Sequence, residues 1–140
     1  MSPEEEEVLA ANAAFYQAFA QRDTEAMDRM WAHEVEVVCV HPGWRALVGR
    51  DEVMASWYSI LGSPAAPAIS FHDALVRLRG EMAFVLCTES LPGGELVATN
   101  VFAREGAAWR IVHHHAGPIA RDGGADDDDD DEGPPSGLLN

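Results

Sequence analysis

The longest run of imidazoles in this 140-residue sequence is His113-His114-His115. Imidazoles are the side chains that most readily move protons or hold metals near neutral pH. On a strand the two-residue period places His113 and His115 on one face and His114 on the other, so the three cannot line one site. Two histidines spaced by one residue could hold a metal with His41 or Glu89 completing the set. No His-Glu-x-x-His or comparable spacing supports that reading, and no metal is expected. There is no Gly-x-Ser-x-Gly elbow for a serine nucleophile and no glycine-rich phosphate loop before a helix. All nine basic residues are arginine, which excludes chemistry that needs a lysine, such as a Schiff base, a Walker lysine or pyridoxal phosphate attachment. Cys39 and Cys87 sit in apolar runs without a Cys-x-x-Cys pair and read as two buried thiols in a reducing compartment.

The formal net charge of −15 repels phosphate and anionic lipid, so neither nucleic acid nor a membrane surface is an expected partner. The charge is unevenly spread: residues 1–121 hold 16 acidic and 9 basic side chains, and residues 122–140 hold eight acids and no base. Six consecutive aspartates, Asp126 to Asp131, followed by Glu132 and Gly-Pro-Pro-Ser-Gly, have almost nothing to bury, and 122–140 is expected to be a disordered solvating tail. That leaves residues 1–121 as one domain of ordinary size, able to bury a core without staples. Met1-Ser2-Pro3 followed by four glutamates is the reverse of a signal peptide, and no apolar run approaches a membrane span, which predicts a cytoplasmic protein.

Ser2-Pro3-Glu4-Glu5 carries a capping hydroxyl, a proline at the first helical position and a glutamate placed to close a capping box. Val8, Ala11, Phe15 and Phe19 continue at helical spacing to about Gln21, where Arg22-Asp23-Thr24 breaks and recaps the chain. A short helix is predicted over 24–32, a β-branched strand over 35–41 ending at Pro42-Gly43, and a third helix over 51–61, closed by Gly62. Four strand-like runs follow over 69–79, 82–91, 95–104 and 109–116, separated by turn-forming sequences. The class is α+β: three helices from the N-terminal half packed on a curved antiparallel sheet, with the long first helix covering one face. A sheet bent around a helix makes a cone with a mouth. Of the aromatic residues, Trp57 and Trp109 fall on apolar faces and should pack in the core, whereas Trp44, just past Pro42-Gly43, is placed to close over a ligand.

The order of helices and strands, the His41-Pro42-Gly43 strand end, the Gly49-Arg50-Asp51-Glu52 start of the third helix and the closing Trp109–His115 strand resemble the nuclear transport factor 2-like superfamily, a cystatin-like cone, and within it the SnoaL-like domains. The resemblance covers roughly residues 5–119. The last strand also resembles the association domain of calcium/calmodulin-dependent kinases, which implies a homodimer. Ketosteroid isomerase, of the same cone, keeps an aspartate base and Tyr and protonated-Asp oxyanion donors in an apolar pocket. Its base position falls on His41, its first-helix donor near Phe15 with Tyr16 adjacent, and its strand donor near Asn100. The resemblance therefore implies a small-molecule pocket lined by Phe15, Tyr16, Trp44, Tyr58, His113 and His115, with His41 as base and Asn100 as donor to a developing oxyanion, and His114 facing a partner subunit. The implied activity is a cofactorless isomerisation, cyclisation or hydration. The alternative is a non-catalytic ligand-binding or assembly module.

Overall fold

The computed structural model describes residues 1–120, so the predicted tail lies outside the described residues. Helix α1 spans Pro3–Gln21, and Ser2 and Glu5 form the reciprocal capping box that their spacing predicts. Its buried face is Val8, Asn12, Phe15 and Tyr16, a helical stripe with one amide inside it. The helix ends at Arg22, which takes the left-handed conformation (φ 56°) and lets its N–H reach back to Ala18 and Phe19. Helix α2, Thr24–Met30, starts from the Asp23 carboxylate, which accepts from Ala26 N at 3.0 Å. Helix α3 is Arg50–Gly62.

The six strands are β1 (Val38–Val40), β2 (Leu47–Val48), β3 (Ser70–Arg79), β4 (Met82–Leu91), β5 (Gly94–Glu105) and β6 (Ala108–Pro118), in the sheet order β2-β1-β6-β5-β4-β3. The four long strands form the predicted antiparallel meander. Two features differ from the sequence reading. Strand β2 is a two-residue element, too short to leave an alternating pattern, and β1 pairs in parallel with β6 while pairing antiparallel with β2. β1 is also shorter than the predicted 35–41. The reason is a competing acceptor: the Glu105 carboxylate takes the N–H groups of His33, Glu34 and Val35 at 3.1, 2.9 and 3.3 Å, holding that stretch as a loop. The Val37 carbonyl is used by Gly49 N at 2.8 Å.

The core fills the concave side. Phe15, Trp31, Trp57, Phe102 and Ile111 are fully enclosed, each worth about 1.5–3 kcal/mol of burial. Along β4 and β5 the inward phase is Ala83, Val85, Cys87 and Glu89, and Leu96, Ala98, Asn100 and Phe102. Two arginines tie the helices into a frame. Arg50 donates to Trp31 O and Ala32 O and pairs with Asp28, joining the end of α2 to the start of α3. Arg22 donates to the carbonyls of Leu61, Ser63 and Ala66, joining the end of α1 to the segment after α3.

Because Glu105 accepts three backbone N–H groups as an ion, Glu105→Ala should cost about 1–2 kcal/mol, a range reduced for its partial exposure. Urea unfolding checks this. Glu34→Ala, which removes a neighbouring exposed carboxylate but no clamp, should move the midpoint little, and equal midpoints for the two variants would refute the clamp.

Candidate functional site

A cavity of about 210 Å³ opens where the C-terminal ends of α1 and α3 and the segments at 41–44 and 67–69 meet the end of β4, the start of β5 and the middle of β6. Its walls are mainly apolar, with Phe19, Ile60, Pro67, Ile69, Leu91 and Leu96. Three ionisable side chains reach it: His41, Glu89 and His114.

Glu89 is 2% exposed. The Tyr16 hydroxyl donates to its Oε2 at 2.5 Å, and His114 Nε2 lies 4.0 Å from the same oxygen. Behind this pair, Asn100 Nδ2 donates to Asn12 Oδ1 at 2.8 Å and to Tyr16 Oη at 3.2 Å, and Asn100 Oδ1 is 2.5 Å from His114 Nδ1. Five side chains from α1, β4, β5 and β6 thus form one hydrogen-bonded group. On the other wall, His41 Nε2 is 2.8 Å from Ser56 Oγ, and its ring lies edge-on to Trp44 and Trp57 with centroids 4.8 Å from each.

Burial pushes the Glu89 carboxyl above its ordinary range, opposed by the Tyr16 hydrogen bond. Burial lowers His41 to about 4, and burial together with the neighbouring histidines lowers His114 to about 3. At neutral pH the site therefore holds two uncharged imidazoles beside a carboxyl group that is easier to protonate than in water. Burial also raises the Tyr16 hydroxyl and pushes the Cys39 thiol up to about 12, so neither supplies an anion.

Several predicted site residues lie elsewhere. His114, not His113 and His115, faces the cavity. Counting in twos from the inward Trp109 and Ile111 selects the wrong pair, because β5 and β6 shift register between Val101 and Phe102: Val101 pairs with His113 and Phe102 with Ile111. Val112 is the extra residue, and after it the even positions point inward. His113 bonds to Val38 O at 3.0 Å instead, and His115 is exposed. Tyr58 is on the outer side of α3, in a surface notch with Asp28 and Arg50 rather than in the cone. Phe15 packs in the core against the rings of Tyr16, Trp57 and His114 and does not line the cavity. Asn100 is fully buried with both amide hydrogens committed to Asn12 and Tyr16, so it has none left for an oxyanion. His41 and Trp44 do line the cavity, and Tyr16 touches it through Glu89.

Glu89, Asn12 and Ser56 are the residues that sequence reasoning undervalued. Each carries a signal: Glu89 continues the inward phase of Val85 and Cys87, Asn12 lies between Val8 and Phe15 on the α1 stripe, and Ser56 shares the α3 face with Val53 and Trp57. A polar residue in an apolar phase is costly without a partner, so each of these positions points to a buried network. Among the described residues, no group of three or more His, Cys, Asp or Glu side chains is placed to hold a metal ion.

Three helices on a curved, mostly antiparallel sheet with a polar group inside the cone define a nuclear transport factor 2-like, cystatin-like fold. Solved structures agree. A protein of Streptomyces avermitilis named "putative dehydratase from the NTF2-like family" is 36% identical, with a TM-score of 0.77 over 84% of this chain and 97% of that one. A Thiobacillus denitrificans protein named "putative calcium/calmodulin-dependent protein kinase type II association domain" is 32% identical, with a TM-score of 0.71 over 85% of this chain and 96% of that one. A cystatin-like protein of Caulobacter vibrioides shares the fold at 15% identity, with a TM-score of 0.76 over 87% and 94% of the two chains. The profile of the SnoaL-like domain matches residues 8–121, and the chain belongs to that family. Among curated proteins, the F-box protein SKIP8 of Arabidopsis thaliana is 28% identical over 117 residues, 82% of this chain; the chain spans about half (51%) of that relative's length.

The two buried histidines set an acid limit. Each is neutral in the fold and binds a proton more readily once unfolded, so stability is lost as pH falls from about 6.5 toward 4 for His41 and toward 3 for His114. Glu89 works in the opposite sense: its raised native value means that protonation on acidification favours the fold. The melting temperature should therefore drop between pH 6.5 and 4, and His41→Gln should shallow the slope by up to about 1.4 kcal/mol per pH unit. Identical slopes in wild type and variant would show that His41 does not titrate on unfolding.

Proposed function

We propose that the cone binds a small, mainly apolar molecule and moves a proton on it, in an isomerisation, cyclisation, hydration or dehydration. The observation that carries this reading is a carboxyl group enclosed by apolar walls, held by Tyr16, with a neutral imidazole nitrogen 4.0 Å away. Burial raises Glu89 above the ordinary carboxyl range, which makes it a better proton acceptor than a carboxylate in water. His114 and His41 are the neutral proton acceptors facing the same space. Asn100 acts behind them as a positioning residue that holds His114 and Tyr16. These side chains supply acid–base chemistry by themselves. The name borne by the 36% identical relative, "putative dehydratase", supports a reaction of this class.

The test begins with a thermal-shift screen of small enones, lactones and hydroxyketones, followed by NMR detection of solvent exchange at the α-carbon of each binder. Glu89→Gln should keep the binders and lower exchange by about 10²–10⁴. His41→Gln should lower it less, because His41 faces the cavity from the opposite wall. Binders with no exchange in the wild type would move the conclusion to a non-catalytic binding module.

A second reading, assembly through the outer face of the sheet, is favoured by one observation. Leu75, Met82, Leu86 and Val97 are each 37–43% exposed there, around an apolar depression of about 330 Å³. A homodimer through this face would bury them. The expected result is a light-scattering mass about twice the 15.2 kDa of the chain, returning to one-fold in Leu86→Glu. A wild-type monomer at micromolar concentration would refute it.

A further inference from the structure

Counting hydrogens fixes the polarity of the cavity. Ser56 Oγ has one hydrogen, and it goes to Val53 O at 2.6 Å, so toward His41 the hydroxyl can only accept. His41 therefore carries its proton on Nε2, and Nδ1 is left as an acceptor, 4.0 Å from the Cys39 Sγ. Asn100 spends both amide hydrogens on Asn12 and Tyr16, so its Oδ1 accepts from His114 Nδ1–H, which leaves His114 Nε2 bare. Tyr16 spends its hydrogen on Glu89 Oε2, and that oxygen is an acceptor in either state of the carboxyl. Among the oxygen atoms of this network, Glu89 Oε1 is the one where a proton can come and go.

Among the described residues, neither Glu89 Oε1 nor His114 Nε2 makes a hydrogen bond. Neither is among the enclosed polar atoms that lack a partner, which are Asn12 Nδ2, Trp31 Nε1, Trp57 Nε1 and Arg110 Nε. Both residues line the cavity, so these two atoms face the space a ligand would fill. The cavity thus offers a fixed acceptor beside a carboxyl group that burial makes easier to protonate, and no arginine among its walls.

We infer that the ligand is a neutral molecule whose polar end is a hydroxyl group, donating to His114 Nε2 while its oxygen accepts the proton of Glu89 Oε1. This rests on the reading that the cone is a ligand site, and it names the class of ligand. Among uncharged oxygen-bearing organic groups, a hydroxyl is the one that donates and accepts at a single atom. A carboxylate or phosphate would set its charge against a bare imidazole nitrogen and a carboxyl group in a chain of net charge −15. An ether or aldehyde leaves Nε2 without a partner. The volume, about 210 Å³ against roughly 150 Å³ for a cavity that takes benzene, suits a single ring with a short substituent.

The probes are benzyl alcohol, benzyl methyl ether, benzaldehyde, benzoate and benzylamine, titrated against the full chain by tryptophan fluorescence and NMR. Benzyl alcohol should bind at least tenfold more tightly than the ether, the aldehyde, the anion and the amine. His114→Leu should cut its advantage over the ether to less than threefold. Long-range ¹H–¹⁵N correlation of the wild type, which needs no ligand, should show His114 protonated at Nδ1 and His41 at Nε2. Opposite tautomers, or equal binding of alcohol and ether, would overturn the hydroxyl assignment while leaving a ligand-binding cone. Preference for benzoate or benzylamine would overturn it in favour of an ionic ligand. If no probe binds, the cone reading itself falls, and the hydroxyl assignment with it.

Discussion

The structure is organised around one costly act: enclosing the Glu89 carboxyl inside an apolar cone. A buried carboxyl with no partner would cost more than most single core contacts return. The chain meets that cost with Tyr16 from α1, and Tyr16 is held in turn by Asn100 from β5, which also orients His114 from β6 and bonds to Asn12 one helical turn before Tyr16. The helix therefore meets the sheet through a polar seam as well as by apolar packing. Such a seam has far fewer acceptable geometries than a patch of leucines, because each donor must find its acceptor. It fixes the rotation and depth at which α1 sits in the concave face.

That seam explains how a cone can hold reactive groups without being open and wet. Phe15 and Trp57 pack against the His114 ring, and His41 lies between Trp44 and Trp57. Aromatic edges and faces supply shape and weak electrostatic contact without competing for the histidines' protons. The imidazoles are kept neutral by their surroundings, and the same burial makes the carboxyl group easier to protonate than in water. A polar site in a protein as acidic as this one is thus shielded from the charge of the surface.

Local signals made most of the fold legible. The capping box at Ser2 and Glu5, the break at Arg22 to Thr24 and the turns at Gly80, Gly94 and Gly106 lie within a few residues of the groups they govern, and each marks the boundary it suggests. What was not legible depends on partners distant in sequence. β1 starts late because Glu105, some seventy residues on, takes the N–H groups of His33, Glu34 and Val35 ahead of it. Asn100 reads as a free donor until Asn12 and Tyr16, 88 and 84 residues away, are seen to occupy it. Of the site, His41 and Trp44 could be placed because they flank a proline–glycine turn whose end of the sheet is set locally. Glu89 was visible as a polar residue in an apolar phase but had no sequence neighbour to say what would receive it.

The extra residue at Val112 has a consequence for comparing chains of this architecture. Up to Ile111 the odd residues of β6 face inward, and from Val112 onward the even ones do. The strand therefore carries a frame, much as a reading frame does, and a single residue of slack decides which histidine the cone receives. A related chain without that slack, carrying the same three histidines, would present the two outer ones to its interior instead of the middle one while aligning with this one letter for letter on either side. Between such proteins, identity along the last strand measures ancestry, and equivalence inside the cone must be judged from the ladder of pairings with β5.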